Sequence, residues 1–314
     1  MMKVTPTFAR APWASMAVLV LIAACDSGAD NLDRAAFEAA VLEWREERLA
    51  NLMAPTGFLS LAGLYWLSEE STSFGSAADN DVVFAEKAAP HIGEFRLTAD
   101  GVVMVADPDV DVRFEDEVVQ TLLIADDTTE NPVMITHGTL AWTVVQRDGR
   151  FAVRLRDFEH PVLESFAPLE YFPIDPKWQV NGTLKRYSSP QVTAVDTVIE
   201  GVGWNPESPG VVVFEMDGDV FELEAYASGE RLFFVFGDRT NGSETYPAGR
   251  FLYAAMPGED GQTVLDFNRA YSPPCAFNDF STCPVASPRN RLHTVVAAGE
   301  LFNRDAHVES VESH

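Results

Sequence analysis

Positive charge is scarce in this sequence: 22 Lys and Arg stand against 48 Asp and Glu, a formal net charge of -26. A surface of that sign repels nucleic-acid phosphates and anionic lipid headgroups, so no nucleic-acid partner is expected. The acidity is spread along the chain and reads as a solvated surface. Catalytic signatures are also missing. There is no G-x-S-x-G elbow, no H-E-x-x-H, no P-loop and no dinucleotide fingerprint, so no cofactor is predicted. The six histidines are scattered without ligand spacing. Asp107, Asp109 and Asp111 open like a calcium loop, but Val112 sits where the sharp turn needs Gly and Val118 where a bidentate acid belongs; no metal is predicted. No long helical period follows Leu67, which argues against alternating βα units.

What is present is a globular composition, 46% hydrophobic and 22% charged, behind a distinctive leader. Lys3 and Arg10 precede an apolar run, Met16 to Ala24, too short for a membrane span and shaped like a secretory signal. It ends Leu21-Ile22-Ala23-Ala24-Cys25, which resembles the lipobox of bacterial lipoproteins. Residues 1–24 are therefore read as a signal peptide, and Cys25 as a lipidated N-terminus that anchors the protein on the periplasmic side of a bacterial membrane. Two cysteines remain. In an oxidising compartment Cys275 and Cys283 are most simply a disulfide; a metal pair with His293 lacks the tight zinc spacing.

Beyond Cys25 the sequence reads as a short polar tether, DSGADN, then an amphipathic helix with apolar positions at Phe37, Val41, Trp44 and Leu52 and Asn31 or Asp33 as caps, so 25–54 form one unit. From Gly57 short strands alternate with turns. Asp100-Gly101, Asp148-Gly149, Asp217-Gly218 and Asp260-Gly261 each supply the positive backbone angles of a tight hairpin. The expected fold is mainly antiparallel β, of sandwich or barrel type. A Pro- and Gly-rich seam at Ser189–Gly210 divides it into an N-terminal β subdomain (55–187) and a C-terminal one (190–304), followed by a flexible tail (305–314).

Three segments concentrate unlike polar groups. RLRD sends Arg154 and Arg156 to one face of a strand and Asp157 to the other. GDRTNGSETYPAGR projects Asp238, Thr240, Glu244, Tyr246 and Arg250 from a turn. In VLDFNRAYSPPC, alternation sets Asp266, Asn268 and Ala270 opposite Phe267, Arg269 and Tyr271, and Pro273 and Pro274 stop the strand. Together with GFLSLAGLYWL, FGSAADNDVVF and NRLHTVVAAGE, these blocks resemble the DUF1684 family of bacterial and archaeal proteins, in order over most of residues 44–301. That family is named for its unknown function. The resemblance implies shared polar positions at Arg154, Asp157, Asp238, Thr240, Glu244, Tyr246, Arg250, Asp266, Asn268, Arg269, Tyr271, Asn290 and Glu300.

The expectation is that the two C-terminal loops converge on one polar pocket for a small polar or anionic ligand. Arg250 and Arg269 would grip it, Asn268 and Tyr246 orient it, and Arg154, Asp157, Asp238 and Tyr271 complete the lining. One alternative is a hydrolase with Glu244 or Asp266 as general base. Another is a structural envelope lipoprotein with no pocket.

Overall fold

The structure is a computed structural model and describes residues 27–304. The leader, Cys25 and the tail from 305 lie outside those residues. The first element is α1 (Ser27–Met53). It starts earlier than its sequence suggests: Asn31 and Asp33 lie inside it, and the expected tether from Ser27 onward is helical. No proline interrupts this stretch, and Asp33 is an acid near the positive end of the helix dipole. The apolar spacing docks as expected, with Val41 and Leu52 buried and Phe37 and Trp44 half-buried.

Eleven strands follow, all before residue 158: β1 (Leu61–Leu67), β2 (Ser71–Gly75), β3 (Val82–Val83), β4 (Gly93–Thr98), β5 (Gly101–Ala106), β6 (Arg113–Phe114), β7 (Glu117–Val118), β8 (Thr121–Ile124), β9 (Ile135–His137), β10 (Leu140–Arg147) and β11 (Arg150–Asp157). They form two sheets, ordered β1-β11-β10-β9-β6-β7 and β3-β2-β4-β5-β8. Both sheets bury aromatic residues in one core. Phe74 stacks on Phe95 with ring centroids 4.1 Å apart and meets the edge of Trp142 at 5.5 Å. Every pairing is antiparallel except β2 with β3.

After a one-turn helix α2 (Val162–Ser165) come β12 (Gln179–Val192), β13 (Val195–Asp196), β14 (Gly203–Trp204), β15 (Glu207–Met216), β16 (Asp219–Ser228), β17 (Arg231–Phe236), β18 (Arg250–Ala255) and β19 (Gln262–Asp266). Six of them make one sheet, β18-β17-β16-β15-β12-β19. It curls into a nearly closed barrel, its end strands linked where Thr263 Oγ1 donates to the Ala255 carbonyl at 2.8 Å. Leu232, Phe234 and Phe236 of β17, with Leu252 and Ala254 of β18, point into the barrel. The intervening Phe233, Val235, Phe251 and Tyr253 face outward into a second apolar cluster. That is why Leu232–Phe236 is apolar without alternation: both faces of the strand are covered.

Two expectations change here. The subdomain limits 187/190 cut through β12, whose Gln191 and Val192 still pair with Ser208 and Glu207 of β15. The break between sheets falls earlier, between Asp157 and Gln179. Pro and Gly at 189–210 mark an irregularity in that pairing rather than a linker. Asp100-Gly101, Asp148-Gly149 and Asp217-Gly218 do close hairpins. Asp260-Gly261 instead leads into β19, whose partner is β12.

Candidate functional site

The turns that begin at Asp238 and Asp266 do meet. Phe251 and Tyr271 exchange backbone hydrogen bonds at 2.9 and 3.0 Å. A strap, residues 296–302, crosses both turns: Glu300 N donates to the Ala270 carbonyl at 2.8 Å, and Phe302 N to that of Glu244 at 2.9 Å. The polar side chains at this crossing, however, turn inward to one another. Arg250 has no exposed surface. Its guanidinium bonds Asp238 Oδ2 at 2.5 Å, the Val296 carbonyl at 2.9 Å, and the Ala298 carbonyl. Burial lowers its pKa, with Asp238 pulling the other way. Asp238 also accepts from Thr240 N at 2.8 Å, so it caps its own loop. Arg250 thus closes the end of the barrel and leaves no fork for a ligand.

Asn268 is equally committed. Its side chain donates to the Asp175 carbonyl at 3.0 Å and Asp266 Oδ1 at 2.9 Å and accepts from Asp175 N at 3.0 Å. The expected strand alternation fails at this point. The Asp266 carboxylate accepts from Asn268 N and starts a 3-10 turn, Phe267–Arg269. Phe267 swings into the barrel core rather than sharing a face with Arg269 and Tyr271. Arg269 pairs with Asp266 at 3.3 Å. Asn290, implied by the resemblance, spans Glu224 and Val235 with three backbone hydrogen bonds of 2.8–3.0 Å.

Above this crossing lies α1. Arg48 Nε meets Glu300 Oε2 at 3.2 Å, and its other end donates to the Ser272 carbonyl at 3.0 Å. Arg45 stacks on Tyr171, 4.1 Å from the ring centre, and donates to the Phe172 carbonyl at 3.0 Å. Glu300 is fully buried, which raises its pKa, while Arg48 and the Ser272 amide draw it back down. Gly299 places this acid. Its φ is +81°, and a Cβ there would lie 2.3 Å from the Ala270 carbonyl oxygen, so only glycine fits.

The remaining predicted residues are dispersed. Asp157 accepts from Lys87 at 3.0 Å and caps the Glu159 amide. Arg154 lies on the face of β11 turned from the sandwich core, and burial lowers its pKa to about 10. Tyr246 packs edge-on against Phe302 at 5.2 Å. Glu244 is exposed and Asp266 is buried, and no contact joins them among the described residues. Glu244 and Asp266 therefore form no facing carboxylate pair that could divide acid and base roles. Cys275 and Cys283 are joined in a disulfide. Among the described residues no cluster of three His, Cys, Asp or Glu is placed to hold a metal.

A cavity of about 440 Å³ does open beside the crossing, between α1 and the outward face of β17 and β18. Trp44, Phe58, Phe233, Phe251, Tyr253 and Tyr271 supply aromatic walls; Glu47, Arg48, Asn51 and Arg231 supply polar groups. Of the site residues expected from sequence, Tyr271 alone lines it. Burial raises that phenol's pKa, helped by Tyr253. Arg231 lies 4.0 Å above the Tyr253 ring, and Arg48 lies 4.6 Å above that of Tyr271. The signal for Phe233, Phe251 and Tyr253 was present in the pairing of two apolar strands, which puts alternate residues on one outer face. Nothing local pointed to Arg231 or Arg48, whose importance comes from the docking of α1.

The fold and cavity define a mainly β protein with a barrel, a sandwich and a docked N-terminal helix. Residues 164–301 match the family described as "Protein of unknown function (DUF1684)", so the resemblance holds for the barrel, the disulfide loop and the strap. The chain is also similar to an uncharacterized protein of Haloarcula marismortui known from a solution NMR structure. The two share 29% identity over 46% of this chain and 80% of that one, with a TM-score of 0.38. No curated protein matches the chain.

Proposed function

We propose that this is an exported, lipid-anchored binding protein whose aromatic cavity takes a small ligand with a ring-shaped body and an anionic end. One observation carries the reading: Arg231 is stacked on Tyr253 at a cavity whose other walls are largely aromatic. Stacking fixes the guanidinium plane while leaving its edge to bind a carboxylate or phosphate through two parallel hydrogen bonds. The volume lies within the ~300–1,000 Å³ usual for small-ligand sites. Arg48 serves a different purpose, since Glu300 and Ser272 engage its guanidinium and make it part of the wall. The leader ending in LIAAC supports attachment through Cys25, which precedes the start of α1 by only two positions. The cavity is lined from the far half of α1, Trp44 to Asn51, so about 25 Å or more of helix would separate it from the anchor.

Titration of the detergent-solubilised protein with ring-bearing carboxylates and phosphates tests the site. Arg231→Ala should weaken binding by ~1.5–3 kcal/mol, the worth of hydrogen bonds to a charged group. Unaltered affinity in Arg231→Ala and Trp44→Ala would refute the assignment. For the anchor, Cys25→Ala should move the protein from the membrane fraction to the soluble one; retention at the membrane counts against lipidation.

A further inference from the structure

A second cavity, of about 450 Å³, adjoins the first, and the two share Phe233 and Phe251 as a common floor. The disulfide loop borders both, with Pro274 at the first and Thr282 and Pro284 at the second. The far wall comes from the N-terminal sandwich. Arg147 grips Asp127 through two bonds of 2.9 and 2.7 Å and reaches Thr282 Oγ1 at 3.0 Å, tying the sandwich to the loop. Asp148 accepts from Gly203 N at 2.6 Å and Asn205 at 3.2 Å, which fixes its carboxylate at the rim. Gln146 and Asn205 add amides, and the half-buried Trp204 is held edge-on to Tyr226 and Phe233 at 5.0 and 5.9 Å.

The two cavities differ in character. The first offers rings and an arginine edge. The second offers an immobilised carboxylate, the Asn205 amide tied to it, and the Gln146 amide around an indole. A fixed carboxylate flanked by amides suits a partner with several hydroxyl donors, and flat aromatic surfaces suit the apolar face of a saturated ring. Building on the ligand site proposed above, we infer that the two cavities form one trough for an acidic oligosaccharide. Its uronate carboxylate meets Arg231, and the following sugar passes over Phe233 and Phe251 to the Asp148, Gln146 and Asn205 end. The disulfide loop is the trough's continuous side wall, which accounts for a loop both proline-stiffened and stapled.

Calorimetric titration of the full-length protein in detergent tests this with a uronate monomer, a uronate dimer and a uronate trimer in which the one uronate is followed by neutral hexoses, a neutral glucose trimer and an acidic tripeptide. The uronate trimer should bind at least about tenfold tighter than the monomer, because the second contact is intramolecular. Gln146→Ala/Asn205→Ala should cut that gain below about threefold and leave monomer affinity unchanged. Trp204→Phe, which keeps a ring in the core, should do the same. Arg231→Ala should weaken monomer and trimer alike. The inference is overturned by absence of a length gain, by a full gain in both second-cavity variants, or by preference for the tripeptide or neutral trimer. If Arg231-dependent binding of monomer persists in any of those cases, the single-cavity reading stands; if no ring-bearing anion binds through Arg231, both fall.

Discussion

Arg250 reaches no solvent, yet each end of its guanidinium has a protein partner: Asp238 and the carbonyls of Val296 and Ala298. A buried pair of this kind is costly to break from one side, because the surviving charge is left without compensation. Arg250→Ala should lower unfolding free energy by ~3–5 kcal/mol in urea titration. A loss under ~1 kcal/mol, typical of an exposed pair, would mean that the pair is not structural. Glu300 is another fully buried ionisable side chain, and its pH dependence runs the opposite way. Burial raises its carboxyl above the ordinary 4.5, so its contribution to stability is full below that value and is lost as pH rises through the raised one. Wild-type stability should therefore decline relative to Glu300→Gln as pH climbs from about 4.5. A difference that stays flat or reverses contradicts this. Such roles were only half legible. Crowded, mixed polar residues in loops look alike in sequence whether they face a ligand or each other, and only burial separates the two cases.

At the scale of elements, α1 and the strap work as a pair. The helix stripe was readable from Phe37, Val41, Trp44 and Leu52, but Arg45 and Arg48 share that inner side and carry the docking to Phe172, Ser272 and Glu300. A periodicity reading discounts charged residues, so it missed them. Gly299 is the strap's pivot: alanine there meets both a positive φ and the Ala270 carbonyl. Gly299→Ala should cost more than the ~1–2 kcal/mol of the left-handed conformation alone, measured as a fall in melting temperature. No change would show that the strap relaxes freely. Strand β19 shows the opposite kind of miss. Its alternation ends at Asp266, where a carboxylate capping the Asn268 amide converts strand to turn.

Over the whole molecule, two β units, a helix and one disulfide loop enclose a groove that none of them forms alone. Hairpin turns and the mainly β class were visible in sequence because they depend on neighbours within a few residues. The barrel's closure and the trough depend on contacts such as Arg147 with Thr282, 135 positions apart, for which no local pattern exists. The separation of duties is the central claim: Arg250 holds the fold and Arg231 holds the ligand. The most direct measurement is thermal unfolding of wild type, Arg231→Ala and Arg250→Ala, each with and without a uronate trimer. The expected result is wild-type melting for unliganded Arg231→Ala with a much smaller ligand-induced rise, and a much lower melting temperature for Arg250→Ala with the rise preserved while folded. A ligand-induced rise in Arg231→Ala equal to that of wild type would contradict the account.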